Sequence, residues 1–149
     1  GVGTLTTPQQ VKASVAAGAK FLVSPSFTKT LATAMLETGL PILPGVVSPS
    51  EITQALELGI KEVKFFPAEQ YGGVKTIKAL SSVFGQVKFC PTGGVSLNNM
   101  ADYFAIKSIF AVGGSWMVPK DLIAKKDWAA ITKLSQQAID SINNLDKCS

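Results

Sequence analysis

Short apolar runs alternate with longer amphipathic segments along almost the whole chain. At intervals of 20 to 25 residues, the apolar runs end near Gly3, Ser24, Pro44, Phe66, Pro91 and Gly113. A short apolar run bounded by glycine or proline is typical of a buried strand, and the longer segment between two runs predicts a helix. Because strands alternate with single helices, the pattern predicts right-handed βαβ crossovers and parallel strands, which is the α/β class.

The sequence also predicts where the helices begin and end. Thr7 and Ser48 stand at N-cap positions, each with proline next and with Gln10 or Glu51 at the third position, which predicts two capping boxes. The last helix is predicted from about Trp128 to Ile142, with the tryptophan on its buried stripe. Helix C′ positions just before a strand are occupied by Gly18, Gly39 and Gly59.

Two architectures fit this alternation: an open doubly wound sheet and a (β/α)₈ TIM barrel. The first full strand is not followed by a Gly-x-Gly-x-x-Gly motif, and the units are nearly uniform in length, which favours the barrel. Such a barrel needs eight strands and typically ~200–250 residues. We therefore interpret residues 1–149 as a single partial barrel domain, a fragment that covers roughly the last six βα units.

Composition narrows the class of protein. The chain has 149 residues, of which 46% are hydrophobic and 16% charged, enough for one compact domain. The net charge of +4 is modest and dispersed, so nucleic acid is not an expected partner, and without a membrane-length apolar run neither is a membrane. Cys90 and Cys148 form no metal or disulfide pattern and suit a reducing compartment. We expect a cytoplasmic protein, because no signal peptide or membrane-length apolar run is visible.

Two residue types are absent from the sequence. It contains no histidine and no arginine, so all fourteen positively charged side chains are lysines. Within this chain, that excludes histidine base catalysis, Ser-His-Asp triads, histidine metal sites and bidentate arginine clamps. An anion site formed by these residues must use backbone N–H groups, hydroxyl groups or lysine.

Lys64 lies inside an apolar, β-prone run that ends at Pro67. Lysine is rarely buried without a partner or a chemical role. Burial favours the neutral amine and lowers its pKa, and a neutral amine can attack a carbonyl group and form a Schiff base. The alternative is a lysine near the strand end whose side chain extends to solvent.

Paired glycines follow the last two predicted strands, in Pro91-Thr92-Gly93-Gly94 and Gly113-Gly114-Ser115-Trp116. In barrels, phosphate is often bound by the loops after the last two strands. Paired glycines let successive N–H groups approach an anion, and a serine hydroxyl can add a donor. These loops predict a phosphate site, with simple turns as the alternative.

The sequence resembles the 2-keto-3-deoxy-6-phosphogluconate (KDPG) aldolase family along almost its whole length. The motifs that carry this resemblance are Gly1-Val2-Gly3-Thr4, Pro44-Gly45-Val46, Lys64-Phe65-Phe66-Pro67-Ala68-Glu69, Phe89-Cys90-Pro91-Thr92-Gly93-Gly94 and Gly113-Gly114-Ser115-Trp116. The resemblance implies a class I aldolase that cleaves KDPG to pyruvate and glyceraldehyde 3-phosphate, with possible activity on 4-hydroxy-2-oxoglutarate. It also implies a homotrimer that uses no metal and no cofactor.

The resemblance assigns roles to particular residues. Lys64 would form the Schiff base, Thr4 would contact the pyruvate carboxylate, and Pro25 would line the pocket. Thr92 would lie beside the hydroxylated carbons of the substrate. The phosphate would be bound by Gly93, Gly94, Gly114 and Ser115.

The family places its catalytic glutamate and a carboxylate-binding arginine on an early strand, which would precede Gly1. Glu62 shares the face of Lys64 but lies ~6–7 Å lower along the strand, where a structural charge is the simpler interpretation. Glu69 is most simply explained as a cap of the next helix. The expectation is a stretch that holds the nucleophile and the phosphate site without the base, and that alone cleaves substrate slowly.

Two other interpretations remain open at the level of sequence. Another phosphate-binding barrel enzyme, such as a phosphosugar isomerase or a relative of thiamine-phosphate synthase, explains the glycine loops but leaves Lys64 unexplained. A non-catalytic remnant that binds phosphosugars or forms oligomers explains the missing base.

Overall fold

The computed structural model describes residues 1–146 of the chain. Its strands are Leu22–Val23 (β1), Ile42–Leu43 (β2), Gly45–Val46 (β3), Glu62–Phe65 (β4) and Lys88–Pro91 (β5). Its α-helices are Pro8–Ala16 (α1), Lys29–Leu36 (α2), Pro49–Glu57 (α3), Gly73–Val83 (α4), Met100–Phe104 (α5), Lys120–Ala124 (α6) and Trp128–Asp146 (α7). A short 3₁₀ turn, Glu69–Tyr71, links β4 to α4.

All strand pairs are parallel and follow chain order. β1 pairs with β2, and β3, β4 and β5 form a second sheet in that order. Parallel bridges extend the series at both sides, from Val2 to Leu22 and from Phe89 to Ile109. The predicted α/β class with parallel strands is therefore confirmed. The first and last apolar runs form isolated bridges where the sequence predicted strands.

The predicted helix caps and the glycines at the helix ends are present in the structure. Thr7 and Ser48 each accept a hydrogen bond from the backbone of the third helical residue, whose side chain returns a bond to the cap. This reciprocal pairing satisfies N–H groups that have no partner within the helix. Gly18, Gly39 and Gly59 have φ values of 81°, 69° and 77°, a left-handed conformation that glycine adopts without strain.

The main core lies between the β3–β5 sheet and the helices that cover it. Val63, Phe65 and Phe89 are fully buried there. The rings of Phe65 and Phe89 meet edge to face at a centroid distance of 6.5 Å. These alternate strand residues face the helices, so the residues between them must point to the other face of the sheet.

The prediction for Trp128 was wrong in one respect. α7 begins at this residue, as expected, but the indole is 58% exposed. The first turn of α7 stays clear of the core, and the helix packs through Ala138 and Ile142 further along. Among the described helices, none is long and apolar enough to cross a membrane. Cys90 is a free, buried thiol, and Cys148 falls outside the described residues.

Candidate active site

Lys64 lies at the centre of the three-stranded sheet. It is in register with Gly45 on β3 and with Cys90 on β5, and its backbone N–H donates to the Pro44 carbonyl at 2.8 Å. Because Val63 and Phe65 face the helices, the Lys64 side chain points to the opposite face of the sheet.

The surroundings of Lys64 disfavour its positive charge. The side chain is half-buried and, within residues 1–144, forms no salt bridge. Burial lowers the pKa of Lys64 from its ordinary value of 10.5, and the nearby Cys90 would oppose this effect only through the negative charge of its ionised form. Lys64 Nζ lies 4.3 Å from the ring centroid of Phe66, a cation–π contact that favours the ammonium form and so acts against burial. The lowered pKa increases the fraction of neutral amine, the form that attacks a carbonyl carbon.

Cys90 is the neighbour of Lys64 on the adjacent strand and is buried. Burial raises the pKa of its thiol, while a hydrogen bond involving Thr92 and the charge of Lys64 act in the opposite direction. The thiol therefore stays protonated near neutral pH and gives the lysine no anionic partner. A neutral residue at this position leaves burial as the dominant influence on Lys64.

The predicted phosphate loops are adjacent in space. Thr92 forms a parallel bridge with Gly113, whose N–H donates to the Pro91 carbonyl at 2.9 Å. This bridge brings the two glycine pairs to the same edge of the sheet. In the part of the chain that the structure describes, the N–H groups of residues 93, 94, 114 and 115 donate to no other protein group.

Each loop has one position where a side chain would collide with a neighbouring residue: Gly94 in the first loop and Gly114 in the second. Gly94 has φ +81°, and a Cβ atom there would lie 2.4 Å from Cγ of Glu69. A Cβ atom on Gly114 would lie 1.8 Å from the ring of Trp116, which covers this glycine. The indole Nε1 of Trp116 is buried and has no hydrogen-bond partner among the described residues.

Thr4 and Pro25 lie at the carboxyl ends of neighbouring segments. Thr4 precedes Leu5, whose N–H donates to the Val23 carbonyl at 3.2 Å, and it has φ +61°. Pro25 follows β1, and its backbone lies 2.4 Å from the place where a Cβ on Gly45 would be. Because the strands are parallel, both residues lie at the edge where β4 and β5 end.

Glu62 lies at the other end of the same face. It is exposed, precedes Lys64 by two residues and pairs in register with Lys88. With Phe21, Leu43, Cys90, Phe110 and neighbouring residues, it lines a cavity of about 320 Å³. Its position at the start of β4 separates it from the glycine loops at the strand ends.

The sequence interpretation missed a contact between Glu69 and Tyr103. Glu69 was expected to cap α4, but that helix is capped by Gly72 without a side-chain bond. The Glu69 carboxylate instead accepts a hydrogen bond from the hydroxyl of Tyr103, which is completely buried on α5. Burial raises the pKa of Tyr103, and the hydrogen bond to Glu69 and its negative charge add to the effect. A buried tyrosine hydroxyl needs a partner, but the sequence does not say which one.

A parallel α/β fold with a desolvated lysine on its inner face and glycine loops at the strand ends is typical of enzymes that act on carbonyl substrates through lysine. A family model described as "Aldolase: KDPG and KHG aldolase" matches residues 1–134. The chain belongs to this aldolase family.

Individual relatives agree with this assignment. The 2-dehydro-3-deoxy-phosphogluconate aldolase of Dickeya dadantii is 47% identical over 139 residues, which are 93% of this chain and 65% of the relative. The KDPG aldolase of Legionella pneumophila, solved with pyruvate captured as a covalent carbinolamine, superposes with a TM-score of 0.87 at 46% identity over 90% of this chain. The KDPG aldolase of Zymomonas mobilis ZM4, solved with 3-phosphoglycerate, gives a TM-score of 0.85 at 38% identity over 93% of this chain.

The chain spans about two thirds of the length of these relatives. It covers 65% of the Dickeya dadantii protein and 65% of each of the two crystallised chains.

Proposed function

We propose that the protein is a class I aldolase that cleaves KDPG to pyruvate and glyceraldehyde 3-phosphate. Cleavage of 4-hydroxy-2-oxoglutarate to pyruvate and glyoxylate is proposed as a second reaction at the same site. The observation that carries this proposal is the placement of Lys64, a half-buried lysine on the inner face of β4 whose pKa is lowered by burial. The covalent pyruvate adduct of the Legionella pneumophila relative supports the same chemistry.

The proposed reaction uses the lysine as an electron sink. The neutral amine of Lys64 attacks the C2 carbonyl, and loss of water gives an iminium. The C4 hydroxyl loses its proton to a base, the C3–C4 electron pair moves toward the iminium nitrogen, and glyceraldehyde 3-phosphate leaves. The remaining enamine takes up a proton at C3, and water then releases pyruvate and regenerates the amine.

The remaining site residues are proposed to orient the substrate around Lys64. Thr4 binds the carboxylate next to C2, Pro25 forms a wall of the pocket, and Thr92 lies beside the hydroxylated carbons. Their common position at the carboxyl ends of parallel segments supports these roles.

The phosphate is proposed to bind to the backbone N–H groups of residues 93, 94 and 114, with the hydroxyl and N–H of Ser115. The bridge between Thr92 and Gly113 supports this proposal because it places both loops side by side. The structure of the Zymomonas mobilis relative with 3-phosphoglycerate shows that this relative takes a phosphorylated three-carbon acid, which is consistent with a phosphate site in the family.

We further propose a (β/α)₈ barrel that assembles as a homotrimer in the cytoplasm. Five strands and the two bridged segments at their sides make six parallel segments in chain order when β2 and β3, separated by one residue, are counted as one, and this order supports the barrel. The homotrimer is proposed from the resemblance of the sequence to the KDPG aldolase family. A phosphorylated sugar acid does not cross membranes, which supports a cytoplasmic location.

The proposed trimer is tested by light scattering, which should give three times the mass of one protomer. A monodisperse monomer would argue against the trimer.

The proposed function is tested by measuring both products of cleavage. The full-length protein is incubated with KDPG, and pyruvate and glyceraldehyde 3-phosphate are assayed separately with coupled dehydrogenases. We expect the two products in equal amounts, and the same assay with 4-hydroxy-2-oxoglutarate should give pyruvate and glyoxylate. If the protein cleaves neither compound, the proposal is wrong.

We predict that Cys90→Asp shifts the pH dependence of iminium formation upward. A carboxylate beside Lys64 stabilises the ammonium form and typically raises a neighbouring pKa by ~1–3 units. At a fixed pH the fraction of neutral amine then falls, so trapping of pyruvate by borohydride at pH 7 should slow by about tenfold or more. In the unmodified protein the midpoint of this pH profile should lie below 10.5.

The control for this variant is Cys90→Asn, which has the same size without the charge. It should keep the midpoint close to that of the unmodified protein. If the aspartate and asparagine variants show the same pH profile, the charge beside Lys64 does not control its protonation.

A further inference from the structure

The loop that follows β5 is held by hydrogen bonds from the loop that follows β4 and from Asn99, at the start of α5. The carbonyl oxygens of residues 92, 93 and 94 accept hydrogen bonds from Ala68 N at 2.8 Å, Glu69 N at 3.1 Å and Asn99 Nδ2 at 3.1 Å. In a trans peptide, the N–H points opposite to the carbonyl oxygen of the same unit. Fixing these three carbonyls therefore also fixes the directions of the N–H groups of residues 93, 94 and 95, which point away from the backbone donors of residues 68 and 69 but stay next to the Glu69 side chain.

The side chain of Glu69 lies against this loop. Its Cγ atom is 2.4 Å from the position that a Cβ on Gly94 would take, so its methylene groups pass directly over the glycine. Its Oε1 atom accepts the hydrogen bond from Tyr103. A Cβ on Gly73 would lie 2.9 Å from Oε1 of Glu69 and 2.9 Å from the hydroxyl oxygen of Tyr103, so this hydrogen bond lies directly against Gly73. A carboxylate on an exposed residue thus has its position set by a fully buried tyrosine.

We propose that Tyr103 is a positioning residue that determines specificity for the phosphorylated substrate, because its hydroxyl holds the Glu69 carboxylate away from the N–H groups beside Gly94. This proposal rests on the proposed aldolase function and on its phosphate site.

The physical reason is competition between two anions for one set of donors. Freed from Tyr103, the Glu69 carboxylate can rotate about its terminal bonds and accept hydrogen bonds from the same backbone N–H groups. A carboxylate at that position also repels the phosphate dianion of the substrate. The effect is local to the glycine loop, since Glu69 lies beyond the end of the strand that carries Lys64.

The test compares two substrates that differ only by the phosphate group: KDPG and its unphosphorylated counterpart, 2-keto-3-deoxygluconate. Tyr103→Phe removes the hydroxyl and keeps the ring that fills the core. We expect KM for KDPG to rise about tenfold, equivalent to about 1.4 kcal/mol, with kcat nearly unchanged. For the unphosphorylated compound, kcat/KM should stay within about twofold of the unmodified enzyme.

Adding Glu69→Gln to Tyr103→Phe should restore KM for KDPG, because the amide carries no charge. Glu69→Gln alone should leave KM unchanged, since its carbonyl oxygen can still accept from Tyr103. If Tyr103 has a purely structural role, Tyr103→Phe should lower kcat/KM equally for both substrates, and adding Glu69→Gln should not restore KM for KDPG. Equal losses would overturn the proposal, and so would a double variant that does not recover KM.

A second pair of variants leaves the buried tyrosine intact, in case Tyr103→Phe does not fold. Glu69→Asp keeps the charge but is one methylene too short to reach the tyrosine hydroxyl, so it should raise KM for KDPG selectively. Glu69→Gln is the matched control. If Glu69→Asp affects neither substrate, or both equally, the proposal is wrong.

Failure of the proposed function gives a different result. If the unmodified protein cleaves neither substrate, the proposed aldolase function is wrong. If the unmodified protein cleaves KDPG but the variants affect both substrates equally, only the proposed role of Tyr103 is wrong.

Discussion

Replacing Lys64 by arginine is expected to abolish both covalent labelling by pyruvate and cleavage of KDPG. The guanidinium group stays protonated at all accessible pH values and cannot form an iminium. Removal of a nucleophile commonly costs ~10⁴–10⁶ in kcat, so residual cleavage should fall by at least about four orders of magnitude. Steady-state kinetics and whole-protein mass spectrometry after borohydride reduction measure the two effects.

Lys88→Arg is the matched control for this variant. Lys88 is the first residue of the neighbouring strand β5, is exposed, and donates from Nζ to the Lys107 carbonyl at 3.2 Å, at the end of the sheet opposite to the glycine loops. It should retain both labelling and cleavage. If Lys64→Arg still forms a reducible adduct with pyruvate, another amine is the nucleophile.

Ser115→Asp is expected to give the second largest effect, this time on phosphorylated substrates. A carboxylate in the proposed phosphate site removes a hydroxyl donor and repels the dianion at close range. We expect kcat/KM for KDPG to fall by about 100-fold, since close like charges cost several kcal/mol. Trapping of pyruvate, which carries no phosphate, should change by less than about threefold.

Two controls separate charge from other effects. Ser115→Ala removes the hydroxyl without adding charge and should lower kcat/KM for KDPG only by about tenfold. Ser82→Asp adds the same charge to an exposed position on α4 and should change neither reaction. If Ser115→Asp slows pyruvate trapping as much as KDPG cleavage, the substitution acts through folding instead of phosphate binding.

Local signals made much of the fold predictable. The caps at Thr7 and Ser48 require only neighbouring residues, and a proline with an acidic or amide residue in the first turn leaves few alternatives. The burial of Trp128 was predicted from periodicity alone and was wrong. Periodicity identifies the face of a helix, whereas exposure also depends on how far the helix extends beyond the core.

The site was predictable where chemistry is carried by residue type. The structure places Lys64 within β4 and brings the two glycine pairs together at one edge of the sheet, while their roles in catalysis and phosphate binding stay predictions. The contact of Glu69 with Tyr103 joins residues 34 positions apart. It depends on how α5 packs over the loop after β4, which no local pattern in the sequence encodes.

The role of Lys64 is decided by locating the pyruvate adduct. The full-length protein is reduced with borohydride in the presence of pyruvate, digested, and the labelled peptide is sequenced by mass spectrometry. The lowered pKa of Lys64 predicts one label per chain, on this residue, formed below the pH at which an ordinary lysine reacts. A label on a different lysine, or no label while KDPG is still cleaved, would show that catalysis does not proceed through Lys64.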